Sequence, residues 1–325
     1  MIDHPTDEPV KLAVTVDDLF QWRNVPFPNG YDARRCSRAL TDAFADHGVR
    51  EVYAFSCTHP TDDDPSLLEV LDSWCAAGHH VGSHTHMHCS CNWLPADAYL
   101  ADVDRGDEVL EPWLERSPTR YFRHAFVHAG DTSDKVIQLS AGLARRGFRV
   151  APITSWFYDV QFMVPYVRAV NAGDDEAAAL VQDRFVAAAL SQFRRRVETA
   201  KAIFGRVPAQ IGLVHGTAIA ADAYGRVLEA LREDGVQFVT LDEAMQDPVN
   251  VVEPHVTRRF RDHMQKWATA AGVAMEGVPP MDTIEEVRAV CPVEGLMEHD
   301  VFAASLGVLP EAMGARMVID DLDPQ

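Results

Sequence analysis

Five histidines fall within ten residues of the stretch GHHVGSHTHMHCSC: His79, His80, His84, His86 and His88. His84 and His88 are the pair with chemical promise. On a helical turn, residues four apart share one face, with Cβ atoms roughly 5–6 Å apart. Two imidazoles at that separation can hold one metal ion through Zn–N bonds of about 2.0–2.1 Å. Two ligands make a weak site, so the metal reading requires a third donor from elsewhere. Without one, the stretch is a polar, histidine-rich turn. His86 would point away from the pair on such a turn, towards the surface or behind the ligands. Cys89 and Cys91 invite a Cys/His zinc site, but no second close pair of cysteines completes it.

The third donor is sought at the ends of strands. Lys11 to Val16 (KLAVTV) is a short apolar, β-branched run and reads as a buried strand. It ends in Asp17-Asp18. A helix cap or turn would need only one of these carboxylates, and in parallel sheets the C-terminal strand ends are where sites form. Asp18, His84 and His88 make a two-histidine, one-carboxylate set suited to a catalytic zinc or a similar divalent ion. Arg123 in RHAF, Asp159 beyond the Phe148–Ile153 run and His215 at the end of QIGLVH also fall at or near strand ends. Such an inventory offers metal ligands, a base for water and an acid for a leaving group, which is what metal-assisted hydrolysis needs.

The elements that must position these residues alternate. Strands are expected at 11–16, 51–56, 81–83, 121–126, 148–153, 210–215 and 237–240. Helices are expected at 33–47, 65–77, 95–115, 133–146, 174–204 and 224–234. About seven strand–helix repeats over residues 10–248 suggest a closed or nearly closed (β/α) barrel. Strand patterning stops after Pro248, so residues 1–248 are expected as the barrel. Residues 249–325 are expected as a mainly helical, acidic extension that shapes the site or mediates self-association, with a frayed end at DDLDPQ.

Composition fits this picture. The chain has 325 residues, 47% hydrophobic and 24% charged, which is ordinary for a globular protein that needs no disulfides. With 29 basic and 49 acidic residues the formal charge is −20, which argues against nucleic acid or an anionic membrane as partner. The first residues, MIDHPTDEPVKLAV, lack a basic segment followed by an apolar one, and no run of 18 apolar residues occurs. The expected compartment is the cytoplasm.

In order along the chain, these motifs resemble the NodB-homology polysaccharide deacetylases, relatives of the family 4 carbohydrate esterases. The family's first motif corresponds to Thr15-Val16-Asp17-Asp18, its second to His84-Thr85-His86-Met87-His88, and its third to Arg123-His124-Ala125-Phe126, with Ala125 where proline is usual. The fourth, an Asp-Trp pair, is reduced to Asp159-Val160 with Trp156 nearby, and the fifth is Leu213-Val214-His215. The resemblance implies a distorted (β/α)7 barrel and metal-dependent hydrolysis of a non-peptide amide bond, typically removal of acetyl from an amino sugar in carbohydrate metabolism. It implies Asp18, His84 and His88 as ligands of one divalent metal, zinc first, with cobalt, nickel or manganese as alternatives. It implies Asp17 as general base, Arg123 as the residue that orients it, His215 as general acid and Asp159 as the partner of His215.

The departures in the third and fourth motifs predict altered substrate walls around an intact catalytic set. Trp156, Phe157 and Tyr158 are candidates for either pocket or core, whereas His124 and His128 are expected in structural or wall roles. The expected substrate is a small N-acyl sugar or natural-product intermediate. Hydrolysis of a cyclic amide or ureide, as in allantoinase-like relatives, is the alternative, and a non-catalytic binding protein on the same barrel is the third reading.

Overall fold

The computed structural model describes residues 8–322. The first seven residues of the N-terminal stretch and the last three of DDLDPQ lie outside them. Eight strands are found among the described residues: β1 (Lys11–Asp17), β2 (Tyr53–Ser56), β3 (His80–Ser83), β4 (Tyr121–Phe122), β5 (Arg149–Val150), β6 (Ser155–Trp156), β7 (Gln210–His215) and β8 (Gln237–Val239). They lie in the order β5-β4-β3-β2-β1-β7-β6, with β8 set against the start of β1. The pairings are parallel. The result is a curled, open sheet wrapped in helices, the distorted (β/α) barrel that the motif order implied.

Helices return the chain between strands: α1 (Ala33–His47), α2 (Leu68–Ala76), α3 (Ala96–Leu114), α4 (Ser133–Arg145), α5 (Asp159–Ala172), α6 (Asp175–Phe204), α7 (Ala218–Glu233) and α8 (Leu241–Ala244). Four more follow in the extension: α9 (His263–Ala271), α10 (Met281–Arg288), α11 (Glu298–Leu306) and α12 (Val308–Ala312). One apolar cluster joins the outer face of the sheet to the helices and takes in Ile284, Val287, Val301, Leu306 and Leu309 from the extension. A smaller cluster around Ala13, Tyr53, Phe55, Tyr121 and Ile211 fills the inside of the sheet.

Several expected elements differ. The single strand over 148–153 is two, and β6 pairs with β7 instead of continuing β5. Pro152 stands between them; it has no N–H to give to a ladder and ends the run there. The sheet is therefore open between β5 and β6. The strand over 121–126 stops at Phe122, because Arg123 turns inward and Ala125–Val127 forms a short 3₁₀ turn with Phe126 in the left-handed region (φ 56°). Helix α5 was not expected. Its sequence is apolar on every side and contains Pro165, so it shows no amphipathic stripe; it is buried almost throughout, as such helices are. The HTHMH stretch is a loop, not a helical turn: Thr85 and His88 have φ of 68° and 50°. Its backbone bonds go outward to α3, from His86 N to Asp102 O and from Met87 N to Asp102 Oδ2.

Candidate active site

The parallel register collects the candidate residues. Asp17 stands level with His215 on β7 and with Phe55 on β2, while Ser83 stands level with Ser56 and with Phe122. Asp18, His84 and Arg123 each follow directly on this row of C-terminal strand ends. Asp17, Asp18, His84, His88, Arg123, Asp159 and His215 are all at most 8% exposed. Burying this many charged groups together is costly unless they are paired or hold an ion.

The pairs are specific. The Arg123 guanidinium donates from one nitrogen to Asp17 Oδ1 and to Thr15 Oγ1, each at 2.7 Å. Asp17 Oδ2 is left facing His84 Nε2 at 3.9 Å. His84 Nδ1 donates to the Arg123 carbonyl (2.8 Å), which selects the tautomer whose Nε2 lone pair faces the site. On the far side, His215 Nδ1 donates to Asp159 Oδ1 (3.0 Å), while Asp159 Oδ2 accepts from the His215 backbone N–H (3.0 Å) and the Thr217 hydroxyl (3.1 Å). Burial pulls the His215 imidazole down, but Asp159, Asp17 and Asp18 outweigh it and hold its pKa above the usual 6.5.

Between these pairs lie Asp18, His84 and His88. Their candidate ligand atoms all fall within 4.8 Å of one another, with Asp18 Oδ2 at 3.4 Å from His88 Nε2 and 3.9 Å from His84 Nε2. Asp18 Oδ2 is buried without a hydrogen-bond partner. An orphaned carboxylate oxygen converging with two imidazole nitrogens suits a divalent cation of the zinc type, and the residues present fit one. Burial raises the Asp18 carboxyl, and burial with the neighbouring imidazoles drives His88 well below its ordinary value, so neutral imidazole is the form on hand for ligation.

Backbone strain clusters here. Asp18, Gln21, Thr85, His88, Phe126, Val127 and Tyr158 are non-glycine residues at positive φ (50–68°), all in the loops that carry or flank the site. Gly216 has a different constraint: a Cβ there would come within 2.7 Å of the Leu19 Cα and 2.9 Å of the Asp18 carbonyl oxygen. The residue after the candidate acid must be glycine for the two strand ends to approach this closely.

The other histidines and cysteines weighed as ligands, His86, His124, His128, Cys89 and Cys91, lie outside the cluster. His86 is fully buried, with Nδ1 on the Thr58 hydroxyl and Nε2 on Asp62, so it lies behind the site and not at the surface. His124 lines the pocket and bonds the Tyr99 hydroxyl, and His128 bridges Ser90 and the Asp321 carbonyl. Cys89 and Cys91 are buried thiols, pushed up to about 12 by burial, and join no metal cluster among the described residues.

A cavity of about 220 Å³ opens onto Asp17, His84, His88 and His215. Trp156 is part of its wall, stacked on Tyr158 and in tilted contact with Phe260, whereas Phe157 packs into the core against Phe193 and Tyr224. Sequence reading missed most of this wall. Trp22 lies against both His88 and His215 (ring centroids 5.4 and 5.9 Å), and Phe126 against His88 (4.7 Å). Trp22 sits five residues after Asp17, and an aromatic in the loop next to two carboxylates was an available signal. Phe260, Phe302, Leu306 and Leu322 come from the extension, and no local pattern announces them. Leu322 is held there by its neighbour. Asp321 accepts from the Phe260 N–H and the Trp93 indole and pairs with Arg258, so the tail through Leu322 is docked, not frayed.

Comparison with known proteins agrees with this geometry. Residues 6–145 match the polysaccharide deacetylase family model. No curated protein matches the chain. Among solved structures, a mutant of a family 4 carbohydrate esterase pseudoenzyme superposes with a TM-score of 0.50 at 15% identity, over 74% of this chain and 68% of that one. The wild-type protein, from Bacillus anthracis, gives 0.49 at 14% identity over 74% and 66%. PdaA of Bacillus subtilis, a family 4 carbohydrate esterase, gives 0.44 at 16% identity over 73% and 81%. These similarities concern the fold. With the motifs in order at the ends of its strands, the chain is similar to the polysaccharide deacetylases over residues 6–145.

Proposed function

We propose that this protein is a metal-dependent amide hydrolase that removes an acyl group, acetyl in the simplest case, from a small non-peptide substrate. The observation that carries the reading is the placement of two preorganised pairs, Arg123–Asp17 and Asp159–His215, on either side of the Asp18, His84 and His88 cluster. A binding protein has no need of an oriented carboxylate and an oriented imidazole in one buried site.

Asp18, His84 and His88 hold one divalent ion, zinc first by donor type, and when bound it supplies Lewis acidity at the amide carbonyl. Asp17 keeps Oδ1 on Arg123 and uses Oδ2 to take a proton from the attacking water. The water oxygen adds to the carbonyl carbon and the C–N bond breaks. His215, steered through Nδ1 by Asp159, gives the Nε2 proton to the departing nitrogen, which is a poor leaving group without it. The products are a carboxylate and an amine. Trp22 and Phe126 seal the histidines from solvent and lower the local dielectric.

The test is metal content and acetate release measured together. Purified protein should carry close to one equivalent of zinc or a similar ion, and His84→Ala should lose most of both metal and turnover. Full metal occupancy in His84→Ala by elemental analysis would remove His84 from the ligand set.

A further inference from the structure

The cavity beside the catalytic groups is apolar, and this bears on what it accepts. Apart from the residues already given roles, His124 and Gln161 are the polar side chains on its wall among the described residues, and His124 Nδ1 already bonds Tyr99. The indole N–H groups of Trp22 and Trp156 are buried within the wall and are not presented to the cavity. The apolar part of the wall includes Trp156, Ile153, Phe260, Phe302 and Leu306. A sugar ring in this space would leave several hydroxyls without partners, and each unpaired hydroxyl works against binding. An apolar ring gains at every contact. Size agrees: a cavity of ~150 Å³ takes benzene, and this one, at about 220 Å³, leaves room for a short linker beside a ring.

The extension builds this wall. Phe302 and Leu306 project from α11, and Phe260 packs at a tilt against Trp156 with ring centroids 4.9 Å apart. Arg168, fully buried on α5, donates to the carbonyls of Arg288, Val290 and Leu296 in the segment leading to α11. The wall is therefore anchored to the barrel.

We propose that the amide cleaved here carries one apolar group, about one aromatic ring with a short chain, seated against Trp156, Phe260, Phe302 and Leu306, and that a free hexosamine is a poor ligand. The inference rests on the amide hydrolase reading, and binding of uncleavable probes separates the two. Benzylacetone and propiophenone are ketones in which a methylene replaces the amide N–H, with the ring on the amine side and on the acyl side respectively. Calorimetric titration of the full-length protein should show one of them binding at least about 30-fold more tightly than N-acetylglucosamine, as expected for burial of a phenyl-sized group. Which ketone wins tells whether the apolar group is the amine or the acyl part. Leu306→Trp should fill the cavity and weaken that ketone by about tenfold or more. Phe302→Ala should shift the preference towards an analogue with two more methylenes, and its circular dichroism should match the parent.

N-acetylglucosamine binding as tightly as either ketone would overturn the inference while leaving the hydrolase reading in place. So would ketone affinity unchanged in Leu306→Trp. If a ketone binds as expected but neither N-benzylacetamide, N-methylbenzamide nor N-acetylglucosamine is hydrolysed, the pocket assignment stands and the hydrolase reading falls.

Discussion

Asp159 decides which form of His215 is present at neutral pH. Burial by itself would strip the imidazole of its proton; Asp159, 3.0 Å from Nδ1, together with Asp17 and Asp18 more than offsets this, so the group lies above its ordinary pKa of 6.5. An acid must be protonated to act, so its activity is present below its own pKa and is lost as pH rises through it. Removing the carboxylate takes away the strongest of the opposing charges, and the pKa falls. Asp159→Asn should therefore move the alkaline limb of kcat/KM to lower pH. It should also lower kcat, by up to about 10²–10⁴-fold if the whole contribution of the acid is lost. Metal content should stay at the parent level, since Asp159 touches none of the three candidate ligands. An alkaline limb that does not move in Asp159→Asn would show that another group sets it. The family resemblance implied that Asp159 partners His215; local pattern alone places Asp159 only near a strand end, because the intervening 55 residues fold into α5, α6 and β7 before the two meet.

At the scale of elements, two buried arginines tie the extension to the barrel. Arg196 on α6 donates from Nε and Nη2 to Asp262 Oδ2 (3.0 and 2.6 Å), and Asp262 caps α9 by accepting from Gln265 N. Both side chains are at most 1% exposed. Breaking such a pair from one side leaves an uncompensated buried charge, at a cost of about 3–5 kcal/mol. The lost cap adds about 1 kcal/mol. Asp262→Ala should accordingly lower the unfolding free energy by about 4–6 kcal/mol in urea titration, and the double variant Arg196→Met with Asp262→Ala should recover much of it. A loss below 1 kcal/mol in the single variant would mean that Arg196 finds other partners. How much of this was legible differs by element. Strands made of short apolar, β-branched runs, such as β1 and β7, could be read from the sequence because their pattern is local. The split of β5 from β6 depended on Pro152 acting within a sheet whose pairing is long-range. The two-histidine spacing singled out residues that the structure brings together by another route: His84 and His88 converge (ring centroids 5.0 Å) because positive φ at Thr85 and His88 folds the loop, not because a helix stacks them.

At the scale of the whole molecule, the question is whether residues 249–325 are an accessory or part of the fold. Their side chains complete the main apolar cluster with Ile284, Val287, Val301, Leu306 and Leu309, all at most 9% exposed. They cover α5, whose own residues are buried nearly end to end, and supply the partners of Arg168 and Arg196. Deleting them would expose that surface, take from Arg168 the carbonyls of Arg288, Val290 and Leu296, and leave Arg196 without its carboxylate partner, with neutral groups of Gln192 and Tyr158 only. Each uncompensated charge costs several kcal/mol, against a typical total stability of about 5–15 kcal/mol. A chain ending at Pro248 should thus keep much of its helical far-ultraviolet signal and lose its near-ultraviolet signal, while binding a hydrophobic dye. It should also lose turnover of apolar amides, because one wall of the cavity has gone. A truncated chain that melts cooperatively and turns over the same substrates with the same kcat/KM would make the extension an accessory. If it folds but turns over only small acetamides, the extension confers specificity without being needed for the barrel.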